Sequence, residues 1–319
     1  MTLAEEERAD LSAATEADAW RSLVERLNRQ STDKHFDAYA DVAWDAPEMR
    51  IDPHDPRWEL TERDPLGRTD WYKSQPPEIR AEIGLLRTAA NMKTGLQFES
   101  ILQRGLLEYA AKLPNGTPEF RYAYHEVIEE GHHSMMFQEF VNRCGLEVKG
   151  MPKLIEVLSR RVVLMGRRFP EMFFIFVLGG EDPIDHVQRE SLRSDRDLHP
   201  LLERIMRIHV TEEARHLSFA RHLLKQRVPK LNPVKKFAVS IQAPVTLGIM
   251  SGMMLRPPSS LIRRYNIPKQ VVNEAYGDPS ARADVASSLR KVRNLCVELG
   301  LVTPVTKPIW RALHIWSDD

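Results

Sequence analysis

Two stretches of the chain carry histidine and glutamate at spacings suited to holding a metal ion. Arg207-Ile-His-Val-Thr-Glu-Glu-Ala-Arg-His216 places His209, Glu213 and His216 at i, i+4 and i+7, which is one face of a helix. Leu202, Ile205, Met206, Ala220 and Leu223 continue that stripe, whereas Arg204, Arg207, Arg215 and Arg221 fall away from it. The three ligand-type groups therefore look into a core. Burying two imidazoles and a carboxylate together is unfavourable unless something compensates them, and a metal ion does so.

In a chain with 11 His, a lone Glu-x-x-His arises by chance about once. Here the pattern recurs as Glu129-Glu130-Gly-His-His133, with Ala123, Val127, Glu130, His133, Phe137 and Val141 on one face. A glutamate also precedes each motif at a matching offset, Glu99 by 31 positions before Glu130 and Glu181 by 32 before Glu213. Glu99 shares its face with Met92, Gly95, Leu102 and Leu106, and Glu181 shares its face with Phe174, Leu178 and Ile184. Gly179, Gly180 and Pro183 surround Glu181, and such residues inside a helix often mark a functional bend. A distorted turn there would let Asp182 take the place of Glu181.

One Glu from each of two helices, with Glu-x-x-His from each of two others, is the pattern of a carboxylate-bridged di-iron or di-manganese four-helix bundle. Glu99 and His133 would serve one metal and Glu181 and His216 the other, with Glu130 and Glu213 placed to bridge. Four carboxylates roughly neutralise two divalent ions, and oxygen with imidazole suits iron better than zinc. Glu129 and Glu212 would either accept from the N–H of the opposite histidine or be exposed helix charges. His209 breaks the symmetry, because Glu126 stands at the corresponding place before Glu130. It reads as a third imidazole ligand or as a core histidine with a hydrogen-bond partner.

The elements that must position these groups are helices. Residues 1–15 are acidic and Ala-rich without an apolar face, and are expected to lack order; residues 16–29 look helical. Residues 41–75 are rich in Trp, Asp and Pro, including Trp44-Asp-Ala-Pro47 and Trp71-Tyr72, which predicts an irregular but ordered wrap against the main body. From Pro77 a helical period persists through residues 77–227, with turn signals at Pro114-Asn-Gly116, at 145–152, at 194–200 and at 228–233, and further helices follow over 234–316. The expectation is one all-α domain over 1–319. Residues 237–255 are apolar enough to raise a membrane span, but Pro244, Gly248 and Gly252 interrupt them, and Met250, Met253 and Met254 suit a pocket wall. A buried helix kinked near Pro244 is the better reading.

Composition narrows the function. The net charge is +0 and the pI about 7.2, which argues against a nucleic-acid partner. Cys144 and Cys296 have no metal-binding spacing, and the N-terminus is acidic where a secretory signal would be basic and then apolar. A cytoplasmic protein is expected. His125-Glu126 is followed by Glu129 where a zinc hydrolase would need His.

With these motifs the chain resembles the AurF-type di-iron N-oxygenases, the p-aminobenzoate N-oxygenase family, from Trp44-Asp-Ala-Pro47 through the second Glu-Glu-x-x-His and beyond. The resemblance implies a ferritin-like all-α bundle with additional N- and C-terminal helices, and an extra histidine one turn before the second motif. Carried over by position, the implied metal ligands are Glu99, Glu130, His133, Glu181, His209, Glu213 and His216, with His209, Glu130 and Glu213 nearest the chemistry. It further implies two iron ions, manganese being possible, O2 as co-substrate, and oxygenation of an aryl amine through hydroxylamine and nitroso stages toward nitro. A homodimer is expected, with electrons from a separate reductase, since no Gly-rich dinucleotide fingerprint or cysteine cluster is present. The substrate transfers less well: no Arg lies in the turn before Glu99, and Lys93 is the nearest base. A di-iron oxidase such as an acyl desaturase, with residues 237–255 as a lipid tunnel, is the alternative; a storage protein would have no use for His209.

Overall fold

The computed structural model of the protein describes residues 3–194 and 197–316, the side chains of 3–14 and of 154 excepted. Among the described residues there are helices and turns but no strand. The body is built from α1 (Leu3–Asp33), α2 (Asp70–Lys73), α3 (Pro77–Ala110), α4 (Pro118–Arg143), α5 (Lys153–Arg168), α6 (Pro170–Arg193), α7 (Pro200–Arg227) and α8 (Pro233–Leu255). Five of the long helices, α3, α4, α6, α7 and α8, start at a proline. Proline suits that position because its missing N–H would find no partner in the first turn and its φ is already helical. Helix α1 reaches back into the stretch expected to lack order; Ala and Glu, which are strong helix formers, outweigh there the missing apolar face.

Two helical hairpins form the bundle. Helix α3 packs along α4, and α6 along α7; α4 meets α7, and α3 meets α6. The duplication read from the spacing of Glu99/Glu130 and Glu181/Glu213 is thus a duplication of hairpins. Helix α5 lies against α3 and α6, α1 against α4 and α7, and α8 against α6. Helix α6 continues through Gly179, Gly180 and Pro183 as one helix. The reason for Gly180 is close approach: a Cβ on it would stand 2.1 Å from the Phe98 ring. Phe98 and Gly180 each immediately precede an inward glutamate, so this contact sets the spacing of Glu99 and Glu181.

The Trp- and Pro-rich segment is mostly irregular, with short helical turns. Trp44 and Trp58 are buried, with their indole N–H groups donating to the carbonyls of Ala38 and Asp52 at 2.7 and 3.0 Å. Trp58 stacks on His199 just before α7, with ring centroids 4.4 Å apart.

Helix α8 continues across Pro244 and is less buried than expected: Val239, Ala243, Leu247, Met250 and Met254 are buried on one face, whereas Phe237, Ile241, Val245 and Ile249 are exposed. The segment Pro233–Arg264 is long and apolar enough to cross a membrane by length and composition, with 44% of its most apolar window buried. Beyond it lie the shorter helices α9 (Ser259–Arg264), α10 (Lys269–Gly277), α11 (Pro279–Ser288), α12 (Arg290–Glu298) and α13 (Lys307–Ala312).

Candidate metal centre

The seven residues singled out by spacing come together in one buried polar layer between α3, α4, α6 and α7, and each is at most a few per cent exposed. Apolar side chains close the layer above and below. Phe98, Tyr122, Leu178, Leu217 and Phe219 lie on one side, and Met92, Met136, Phe137, Ile205 and Ile208 on the other. Along α4 the order Ala123, Glu126, Glu130, His133, Phe137 shows how the helix repeat produces this: successive turns carry first apolar, then ligand-type, then apolar groups.

Glu130 and Glu213 hold the middle. His216 Nδ1 lies 3.0 Å from Glu130 Oε1 and 3.1 Å from Glu213 Oε1, and His133 Nδ1 lies 3.4 Å from Glu130 Oε2 and 3.6 Å from Glu213 Oε1. Each of the two carboxylates therefore faces both histidines, as a bridging ligand must. His209 Nε2 is 3.8 Å from both Glu99 Oε1 and Glu213 Oε1. Glu181 joins His209 and Glu213 in a group whose ligand atoms lie within 4.8 Å of one another. Asp182 does not compete for that place: it forms an ion pair with Arg221.

The outer ends of the histidines are held crosswise. His133 Nε2 is 2.8 Å from Glu212 Oε2, and His216 Nε2 is 2.7 Å from Glu129 Oε2. Glu129 and Glu212 are thus buried partners of the opposite histidine and not exposed charges. Arg215, expected to fall away from the core, is instead only 6% exposed, with its guanidinium 2.8 Å from Glu129 and 3.6 Å from Glu212. Two carboxylates already committed to imidazoles need a cation, and Arg215 supplies one for both.

Electrostatics show the strain of gathering these groups. Burial pushes the carboxyls of Glu99 and Glu181 well above the usual range, and neighbouring carboxylates add to it: chiefly Glu130 for Glu99 and Glu213 for Glu181. Burial likewise raises Glu213 against the pull of His216. For Glu130 burial acts the same way but is outweighed by hydrogen bonds from His133 and His216, so its carboxyl is lowered. Burial disfavours charge on His133 and His216 too, yet their carboxylate partners override it and raise both. His209 is held well below its ordinary value by burial and by the neighbouring His133, so its imidazole is neutral.

Metal fits this site on two observations. Glu99 Oε1 and Glu213 Oε2 are buried without a hydrogen-bond partner, which is costly unless another ligand satisfies them. The donors are hard carboxylate oxygens and imidazoles in overlapping groups that could hold a metal ion, a set suited to iron or manganese.

Three features escaped the sequence. Ser134 donates to Glu99 Oε2 at 2.8 Å and accepts from Gln103 at 3.2 Å, but nothing in spacing separates a useful serine from an ordinary one. Arg215 gave a misleading signal because its long side chain swings back from the helix edge. Glu126 stands one turn before Glu130, as His209 stands before Glu213, and that correspondence was the available clue. It is fully buried, burial lifts its carboxyl to about 8, and it groups with Glu130 and His216.

The comparisons agree with this geometry. A family model described as P-aminobenzoate N-oxygenase AurF matches residues 17–300. Uncharacterized proteins of Mycobacterium tuberculosis H37Rv and Mycobacterium bovis are each 41% identical over 309 residues, covering 97% of this chain and 91% of theirs. No solved structure gives a significant match. Matched over nearly its whole length and all-α as that ferritin-like family is, the chain belongs to the AurF family of p-aminobenzoate N-oxygenases.

Proposed function

We propose that the chain is a di-iron monooxygenase that oxygenates the nitrogen of an aryl amine, through hydroxylamine and nitroso stages toward the nitro compound. Glu99, Glu130, His133, Glu181, His209, Glu213 and His216 would hold the two metal ions, with manganese able to use the same donors. The observation that carries this reading is the convergence of His209 Nε2 on Glu99 and Glu213, in a chain matched to the family over residues 17–300.

When bound and reduced, an iron pair supplies the electrons that O2 activation needs. The protein's own groups prepare for that chemistry. Glu212 and Glu129 hold the Nε2–H of His133 and His216 outward, which leaves Nδ1 of each facing inward, where a metal would displace its proton. His209 adds a neutral donor, so it brings no repulsive charge to the metal. Ser134 holds the Glu99 carboxylate by one oxygen and leaves the other free to turn inward. The apolar layers above and below keep water from the reacting groups.

Electrons would come from a separate reductase or other donor, as no nucleotide or cysteine-cluster motif occurs in the sequence. Lys93, the nearest base before Glu99, has its ammonium engaged by Gln138 at 2.7 Å. We further take the protein to be a cytoplasmic homodimer without nucleic-acid or membrane partners, in keeping with its zero net charge and the inward face of α8.

One observation favours a second reading. Leu247 and Met250 of the apolar α8 lie against Gly179, two residues before Glu181, so an apolar segment does reach the helix carrying Glu181, as an acyl-chain oxidase would need. Product analysis decides between them. Iron-loaded, reduced protein supplied with O2 should convert an aryl amine to hydroxylamine, nitroso or nitro products and leave an acyl substrate intact; the reverse result would replace the proposal.

A further inference from the structure

Two groups of ligand-type atoms in the buried layer share no residue: Glu99 with His133 and His209, and Glu126 with Glu130 and His216. In each group the atoms lie within 4.8 Å of one another. The second group depends on Glu126, because Glu181 clusters with His209 and Glu213 instead. Glu126 is fully buried, and neither of its carboxylate oxygens has a hydrogen-bond partner. The nearby guanidinium of Arg215 is directed to Glu129 and Glu212, so it does not account for Glu126. A fully buried carboxyl group with both oxygens unsatisfied is costly, ionised or not, unless another ligand takes it.

Position supplies an independent argument. Glu126 precedes Glu130 by one turn on α4, and His209 precedes Glu213 by one turn on α7, so the two occupy the same place in the duplicated hairpins. One half of the bundle offers an imidazole there and the other a carboxylate. We infer that Glu126 is an eighth metal ligand, terminal on the ion held by Glu130 and His216, and the counterpart of His209 on the other ion. This rests on the di-metal reading above. Its chemical consequence is unequal ions: one gains a neutral nitrogen donor, the other an anionic oxygen donor that favours a higher oxidation state.

Manganese(II) alone is the probe, followed by equilibrium binding and electron paramagnetic resonance on the full chain stripped of metal. The wild-type protein should bind two ions and show the signal of an exchange-coupled pair. Glu126→Gln, which keeps shape and removes charge, should weaken the second ion at least tenfold and give the six-line signal of isolated manganese. Metal-free Glu126→Gln should be about as heat-stable as wild type, since Glu126 has no hydrogen-bond partner to lose; a glutamate held by polar neighbours would show a clear loss. Glu126→Asp, charged but shorter in reach, should fall between the two. If Glu126→Gln binds two ions with wild-type affinity and a coupled signal, or if Glu126→Gln fails to fold and Glu126→Asp binds as wild type, the inference is overturned while the di-metal reading stands. If wild type itself holds fewer than two ions, both fall together.

Discussion

Glu212 on α7 takes the Nε2–H of His133 on α4 at 2.8 Å, and that contact decides which ring nitrogen His133 offers inward. A carboxylate can only accept, so Nε2 carries a proton held by Glu212, and Nδ1, which faces Glu130 and Glu213, is the nitrogen that a metal would take by displacing its proton. Glu129 does the same for His216 from the other side. Each Glu-Glu doublet thus carries one candidate ligand and one clamp for the opposite helix.

Removing either clamp should loosen metal without removing a candidate ligand. Glu212→Ala and Glu129→Ala are each expected to lower metal affinity about 10- to 100-fold, measured by competition with a chromophoric chelator. Affinities equal to wild type would show that the crosswise contacts do not orient the histidines.

The central carboxylates should matter more. Each of Glu130 and Glu213 faces both His133 and His216, so replacing either by Ala removes a donor from both proposed ions at once. Metal content should drop from about two per chain to one or fewer. Full metal retention in both variants would disprove the assignment of the layer as a metal site.

Much of the arrangement was legible because helix geometry ties sequence spacing to direction. The offsets of Glu99 from Glu130 and of Glu181 from Glu213 predicted two equivalent hairpins, and the apolar residues flanking Glu130 and His133 predicted an inward face. The doublets offered Glu129 and Glu212 as crosswise partners of His216 and His133 or as exposed charges, and the structure decides for the first. Direction along one helix, however, does not tell what a long side chain does after leaving it. Arg215 shows this, returning to the core to pair with Glu129. Gly180 was illegible for a related reason: it answers the Phe98 ring on another helix, and no local signal carries a partner distant in sequence.

That contact makes a stability prediction. Gly180→Ala would put a Cβ within 2.1 Å of the Phe98 ring, so α3 and α6 must separate or Phe98 must leave its place. Overpacking of this kind costs about 1–3 kcal/mol, and the shift should also disturb Glu99 and Glu181, which follow directly. Calorimetry should record a lowered Tm together with weaker metal binding. A variant as stable as wild type would mean that the helices are not held at this distance.

Metal-free protein should lose stability as pH rises from about 6.5 to 8. Glu126 is lifted to about 8, and Glu99, Glu181 and Glu213 are also raised, in each case with burial as the leading cause. His133 and His216 are raised as well, by their carboxylate partners against burial. His209, His125, His186 and His199 are lowered, chiefly by burial, and act in the opposite sense, but only below the ordinary imidazole value of 6.5; above it the folded chain binds more protons than the unfolded one, and the free energy of unfolding falls with pH. Glu130 and Glu129 are lowered, so their opposite effect is confined to more acidic pH. Bound metal replaces those protons, and the loaded protein should show a much flatter curve. Parallel thermal melts with chelator and with manganese(II) test this; identical pH curves would contradict it.

The last prediction concerns His209, whose Nε2 sits 3.8 Å from Glu99 and 3.8 Å from Glu213. Burial and His133 keep it neutral, and its Nδ1 has no hydrogen-bond partner, so a core histidine fixed by a polar neighbour does not describe it. His209→Ala removes a neutral donor while the carboxylates, His133 and His216 remain. Metal content should therefore stay close to wild type and the fold should survive, although the cavity left by the ring costs about 1–3 kcal/mol. Aryl amine oxygenation should fall at least a hundredfold, and the optical spectrum after reduction and exposure to O2 should change. Unaltered turnover with an unaltered spectrum would show that His209 only fills space, and would leave the acyl-chain alternative as the better account of the bundle.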